Sequence, residues 1–148
     1  MEHLPLASFE RFVFAVIAAI ALLAPPLLGQ QDRTAVGSPE AAWSNIQQLV
    51  QSLENAVQSK NLHAIHEPSM KIRAPIRSLK QHCSVLSVDM GQKMTAALKY
   101  LDNSITDLHS AADEGNQKEA ESSLKEVQAA TDQLKSLDPD TAFRSVVH

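Results

Sequence analysis

The chain has 148 residues, a length typical of a single domain. Apolar residues make up 44% and charged residues 20%, a balance that is typical of folded globular proteins and excludes wholesale disorder. The net charge of −4 gives no general attraction for nucleic acid, and the one cysteine excludes an internal disulfide and any site built from several cysteines.

An apolar segment near the N-terminus predicts export. Residues 12–24 are apolar without a break, Arg11 precedes them, and two prolines and a glycine follow. This layout is typical of a secretory signal peptide, which we assign to residues 1–29 with cleavage after Gly29. The alternative is an uncleaved anchor, although the apolar stretch would reach only about 20 Å as a helix, less than the ~30 Å of a bilayer core. This segment predicts an exported protein.

The first helix has a clear start. Residues 30–37 are polar and without pattern, and we interpret them as a flexible tether. Ser38, Pro39 and Glu40 then provide an N-cap, a first-position proline and an acid in the first turn. Apolar residues follow at alternating intervals of three and four: Trp43, Ile46, Val50, Leu53 and Val57. Such a stripe is typical of a helix in a bundle.

The second predicted helix has the same spacing but contains two prolines. Its stripe is formed by Leu62, Ile65, Ser69, Ile72, Ile76, Leu79 and Cys83. Pro68 and Pro75 each remove a backbone donor and clash with the preceding turn. We therefore expect a bent helix, with a restart at Pro68, and an irregular connection over residues 81–88.

The third and fourth helices form a hairpin with caps at both sides of its turn. The third begins near Ser87 or Asp89 and ends at Gly115, and Asn116 caps the fourth. The two stripes comprise Met94, Leu98, Leu101, Ile105, Leu108 and Ala112, and then Ala120, Leu124, Val127, Thr131 and Leu134. Asp138 and Pro139 end the fourth helix.

These elements predict an all-α fold. Each helix carries one apolar stripe and is not stable alone. Short connections between four such helices favour an antiparallel up-down-up-down four-helix bundle over residues 38–138, preceded by an N-terminal signal helix. Residues 139–148 form a short tail.

The predicted hairpin resembles that of a known family. Residues 112–120 contain the pattern Ala-x-Glu-Gly-x-x-Lys-Glu-Ala, which is similar to the hairpin of the small soluble periplasmic cytochrome b family. Residues 45–49 (Asn-Ile-Gln-Gln-Leu) and 71–74 (Lys-Ile-Arg-Ala) are similar to runs in that family's first two helices. The resemblance covers roughly residues 40–135. It implies a four-helix bundle in the periplasm.

The family's haem ligands are substituted in this chain. The family holds haem between an axial methionine in helix 1 and an axial histidine in helix 4, and the matching positions are Ile46 and Lys135. Isoleucine cannot ligate iron, and lysine could do so only if deprotonated and turned inward. The resemblance therefore supports the fold of the family but argues against its cofactor, haem b. A haem-binding periplasmic electron carrier, the alternative function, would need other axial ligands: His66 or His109 with Met70 or Met94.

Four residues are candidates for a metal site: His63, His66, Met70 and His109. The first three share one side of helix 2, and His109 approaches from helix 3 in an antiparallel hairpin, with Glu67 and Asp113 nearby. Imidazole and thioether donors suit Cu(I) or another soft metal. The alternative is that these residues only flank the apolar stripe, where histidine is partly exposed and methionine fills a gap.

Two further groups have simpler interpretations. His82 and Cys83, with Met90 beyond the loop, could bind copper, but Cys83 also continues the apolar stripe as a small hydrophobic residue. A basic run consists of Lys71, Arg73, Arg77 and Lys80. Arg73 and Arg77 share a face and could bind an anionic ligand or partner, but we expect this run to be a solvated face whose cations pair with acids on a neighbouring helix.

The sequence predicts a binding protein rather than an enzyme. No nucleophile, base and orienting residue can be named together, so no catalytic residue is assigned. We expect an exported, non-enzymatic four-helix bundle that binds a metal ion or a partner protein in the periplasm. Nucleic acid is not an expected partner, and a membrane is expected only through the signal segment if it is uncleaved.

Overall fold

The computed structural model describes residues 37–145, and every regular element in that range is helical. The predicted signal segment, residues 1–29, and the tether up to residue 36 lie outside the described residues. None of the described helices combines the length and the hydropathy that a membrane crossing requires. The all-α prediction is therefore confirmed for this part of the chain.

Helix α1 spans Pro39–Gln58 and begins where the sequence predicts. The backbone N–H of Ala41 donates to Ser38 Oγ at 3.2 Å, which satisfies one of the unpaired donors of the first turn. The predicted stripe, from Trp43 to Val57, is buried along its whole length. The pattern of threes and fours thus identified the inner face of α1.

The second predicted helix consists of three segments. A 3-10 turn covers Leu62–Ile65, α2 covers His66–Lys71, and α3 covers Arg73–His82. Each break lies about one turn before a proline. The proline ring clashes with the carbonyl group four residues earlier, and proline has no backbone N–H to donate to that carbonyl. The bend is confirmed, but the chain restarts at His66 rather than at Pro68.

A second 3-10 turn, Cys83–Val85, connects α3 to α4, which spans Val88–Asp113. Glu114 is the C-cap of α4, and Gly115 follows with a φ of +68°, a left-handed conformation that glycine adopts without strain. Asn116 Oδ1 then accepts from the N–H of Glu119 at 3.2 Å and caps α5, Gln117–Ser136. The predicted hairpin turn is confirmed.

The C-terminal segment contains one more helix. Asp138 ends α5 with a φ of +46° and caps α6, Pro139–Arg144, by accepting from the N–H of Thr141. Phe143 is buried, and its ring meets the ring of His82 edge-on at 6.3 Å between centroids. Part of the predicted tail therefore packs on the core. The sequence did not predict this, because Phe143 is a single aromatic residue and no repeating apolar pattern surrounds it.

The described helices share one hydrophobic core. The most extensive packing is between α4 and α5, and α1 contacts α3, α5 and α6. The largest fully buried side chains are Ile46, Leu53, Val57, Ile65, Ile72, Leu79, Met94, Leu98, Leu101, Ile105, Leu108 and Leu134. Within residues 37–145, no buried side-chain nitrogen or oxygen lacks a hydrogen-bond partner. This core holds the start of α2 against the end of α4.

Candidate metal centre

His66, His109 and Asp113 come together where the start of α2 meets the end of α4. His109 Nε2 lies 3.4 Å from Asp113 Oδ2, and His66 Nδ1 lies 3.9 Å from Asp113 Oδ1. The two imidazole rings are 4.7 Å apart between centroids. One ligand atom from each of the three residues lies within 4.8 Å of the other two. That spacing allows three protein donors to reach one ion after small side-chain adjustments.

The core fixes the position of both histidines. Each follows a fully buried residue of an apolar stripe, Ile65 before His66 and Leu108 before His109. Each imidazole therefore lies at the rim of the core. His109 is the more enclosed, with 18% of its side chain exposed, whereas His66 and Asp113 face solvent. His109 and Asp113 are four residues apart and share one face of α4.

Ser69 is the hydrogen-bond partner of His109 Nδ1. The buried Ser69 Oγ donates its one proton to the carbonyl oxygen of His66 at 2.8 Å and lies 2.8 Å from His109 Nδ1. Because a carbonyl can only accept, we assign the N–H to His109 Nδ1, which donates to Ser69 Oγ. The lone pair of Nε2 then faces Asp113. Metal-ligating histidines are held in this way, with the other ring nitrogen donating to a neighbouring acceptor.

The charges at this centre favour a cation. With Nδ1 protonated, His109 Nε2 and the Asp113 carboxylate are both acceptors, and they repel each other unless a proton or a metal ion lies between them. Two imidazole nitrogens and one carboxylate oxygen suit Zn²⁺, Ni²⁺ or Cu²⁺ better than Cu(I), which prefers sulfur donors. Water would complete the coordination on the solvent side, as in metal sites with an open position.

The structure brings together two of the four residues that the sequence predicts as metal ligands. His66 and His109 belong to the centre, whereas His63 is exposed and lies outside the described group of ligand atoms. Met70 is 55% exposed on α2. Asp113, which the sequence analysis names only as a neighbour, is the third donor. The signal for it was its spacing of four from His109 on one helix.

The nearby acid Glu67 has a different partner. Lys71 Nζ donates to Glu67 Oε1 across one turn of α2. This hydrogen bond and the charge of Lys71 hold the pKa of Glu67 below its usual value. Glu67 is also absent from the group of close ligand atoms among the described residues. The carboxylate at the centre is therefore that of Asp113.

Cys83 has the environment of a core residue. Its side chain is buried, its Sγ donates to the carbonyl oxygen of Leu79 at 3.4 Å, and burial raises the pKa of the thiol. His82 Nδ1 donates to the carbonyl oxygen of Ser78 at 2.8 Å. These contacts favour the interpretation of Cys83 as a small hydrophobic residue over a copper or redox site.

The positions that match the haem ligands of the cytochrome b family do not fit a haem. Ile46 is fully buried among core side chains and has no donor atom. Lys135 is 53% exposed and pairs with Asp132 on its own helix at 3.3 Å. Met94, a suggested substitute ligand, is fully buried in the core. Ile46 and Lys135 therefore offer no axial pair.

We expect no low-spin six-coordinate haem spectrum when haem b is added to the full chain. The physical reason is the lack of an inward donor at Ile46 and at Lys135. Absorption spectroscopy of the oxidised and reduced mixtures provides the measurement. A low-spin spectrum that disappears in His66→Ala or His109→Ala would contradict this prediction, because it would show ligation by substitute residues.

Comparison of the chain with family models, with curated proteins and with solved structures gives no match. The resemblance to the cytochrome b family therefore rests on the sequence motifs alone.

Proposed function

We propose that this protein is a non-enzymatic, exported metal-binding protein in which His66, His109 and Asp113 hold a divalent ion such as Zn²⁺. The observation that carries the proposal is the convergence of these donors, with Ser69 holding His109 in the tautomer that a metal ligand requires. This set of donors favours Zn²⁺ over Cu(I), because it contains the carboxylate of Asp113 and lacks the thioether of Met70 that the sequence suggested.

The fold proposed for this function is an up-down-up-down four-helix bundle in the periplasm. Residues 114–116 connect α4 to α5, and so short a connection between two helices packed along each other makes them antiparallel. Helices α2 and α3 together supply the second stripe of the bundle, and α1 supplies the first. Export is supported by the interpretation of residues 1–29 as a signal peptide, and the periplasm is what the resemblance to the cytochrome b family implies.

A bound ion would fasten α2 to α4. Helix α2 has six residues and cannot form alone, so it depends on contacts with its neighbours. An ion bound by His66 of α2 and by His109 and Asp113 of α4 would add a bond between these two helices. Because the donors are together only in the folded chain, the ion stabilises that state by about 2.7 kcal/mol at a free concentration ~100 times Kd.

Titration of the full chain with Zn²⁺ tests the proposal. We expect heat of binding in calorimetry and a rise in Tm, both lost in His109→Ala and in His66→Ala. Ser69→Ala keeps all three donors but frees the His109 ring, so affinity should fall by roughly 10–100-fold. His63→Ala is the matched control, since it removes an exposed histidine of the same segment without touching the centre, and Zn²⁺ affinity should not change.

A Cu(I) titration under reducing conditions distinguishes the two metal interpretations. Weakening of Cu(I) binding by Met70→Leu, with no effect of Asp113→Asn on any metal, would replace the present centre by a thioether site. Zn²⁺ binding that is equal in the parent chain, His66→Ala and His109→Ala would contradict the proposed function outright. Loss of Zn²⁺ binding in Asp113→Asn is the result expected here, because this substitution removes the charge and keeps the shape.

A further inference from the structure

Helix α3 presents a row of cations without acidic partners. Arg73, Arg77 and Lys80 are spaced by four and three residues and therefore share one exposed face. Within the described residues, none of them has a carboxylate oxygen within 4.0 Å, and α3 contains no acid. The predicted pairing of these cations with acids of a neighbouring helix is therefore wrong for residues 37–145. Lys71, in α2, does form a pair, but with an acid of its own helix.

An apolar cleft lies beside this row. It has a volume of about 620 Å³ and is bordered by Lys80 from α3 and Lys99 from α4. The lining also includes Leu86, Ala96 and Val88, and Val88 is 78% exposed. Lys99 likewise has no carboxylate oxygen within 4.0 Å among residues 37–145. Two unpaired lysines and an exposed valine thus line the same cleft.

We name this surface the α3 cationic face and define it by Arg73, Arg77, Lys80, Lys99 and Val88. The chain as a whole has a net charge of −4, so the positive face is a local feature that total composition does not explain. Nucleic acid would complement the four cations but would leave the exposed valine and the apolar cleft without a partner. An anionic phospholipid membrane supplies both headgroup charge and an apolar layer directly beneath it.

We propose that the α3 cationic face binds the surface of an anionic phospholipid membrane. The arginines and lysines contact the phosphate headgroups, and Val88 enters the boundary between headgroups and acyl chains. This contact is peripheral and separate from the metal centre. It requires neither a bound ion nor a membrane-spanning helix.

Vesicle flotation with the full chain tests the proposal, in EDTA so that the metal centre cannot contribute. One set of vesicles contains equal parts of phosphatidylglycerol and phosphatidylcholine, and the other contains phosphatidylcholine alone. Each cation near an anionic surface is worth roughly fivefold in partitioning, so Arg77→Gln with Lys80→Gln should weaken binding to the anionic vesicles by roughly 25-fold. Binding to phosphatidylcholine should not change, because these vesicles carry no net charge. Any contribution of the apolar residues 12–24 is common to both vesicle types, so the difference between them reports the headgroup charge.

A charge-matched double variant controls for net charge. Lys118→Gln with Lys125→Gln removes the same two charges from α5, and we expect it to leave the preference for anionic vesicles nearly intact. Val88→Ser should weaken binding to the anionic vesicles several-fold without altering charge. All substituted side chains are exposed, and circular dichroism checks that each variant keeps its helix content.

Three results would overturn the proposal. Equal losses in the two double variants would assign the effect to net charge. Equal binding to both vesicle types by the parent chain would show that its cations do not contact headgroups. Tighter binding to a short DNA duplex than to the anionic vesicles, with the same sensitivity to Arg77 and Lys80, would assign the face to nucleic acid.

Discussion

Replacing Leu101 with alanine should lower the free energy of unfolding by about 2–5 kcal/mol. Leu101 is fully buried in α4, the helix that packs most extensively against α5. Removing its side chain forfeits the transfer free energy of the lost methyl and methylene groups and leaves a cavity that helices on both sides restrain. Urea denaturation followed by circular dichroism gives the loss as a shift of the midpoint at an unchanged m-value.

The matched control for this variant is Met70→Ala. It also truncates a large apolar side chain in a helix, but Met70 is mostly exposed, so the loss should stay within about 0.5 kcal/mol. A loss below about 1 kcal/mol for Leu101→Ala would mean that the space closes freely around the missing side chain. That outcome would be incompatible with a core in which Leu101 is tightly held.

Local signals explain why the sequence predicted the start of α1 and the turn between α4 and α5. Ser38 and Asn116 cap helices through their own side chains, and Gly115 adopts the left-handed conformation that its lack of a Cβ permits. These effects depend on three or four neighbouring residues. The stripes were predictable for a similar reason, since a helix with one apolar side must bury that side.

The metal centre was only partly predictable because the helical spacing changes within its segment. The sequence analysis placed His63 beside His66 on the assumption of 3.6 residues per turn. Leu62–Ile65 is a 3-10 turn with about 3.0 residues per turn, so a residue before the break is rotated relative to those after it. Asp113 was expected near His66 and His109 from antiparallel packing of these helices, and the structure makes it, rather than Glu67, the third residue of the centre.

Gly91→Ala should destabilise the protein by about 1–3 kcal/mol, although alanine is the better helix former by about 1 kcal/mol. Gly91 lies in the second turn of α4, directly against the 3-10 turn Cys83–Val85. A Cβ built on Gly91 would stand 2.7 Å from the carbonyl oxygen of Cys83. The atom in the way belongs to the backbone, so the connection between α3 and α4 would have to move as a unit.

The sign of this effect separates packing from propensity. If only helix propensity acted, Gly91→Ala would raise the midpoint of urea denaturation, whereas the close approach to Cys83 predicts that it falls. Gln92→Ala, at the next and exposed position, lacks the close contact and should change stability by no more than about 0.5 kcal/mol. A stabilising Gly91→Ala would contradict the fit of this connection against α4. Since Gly91 also lines the cleft between Lys80 and Lys99, a destabilised connection should also disturb the α3 cationic face.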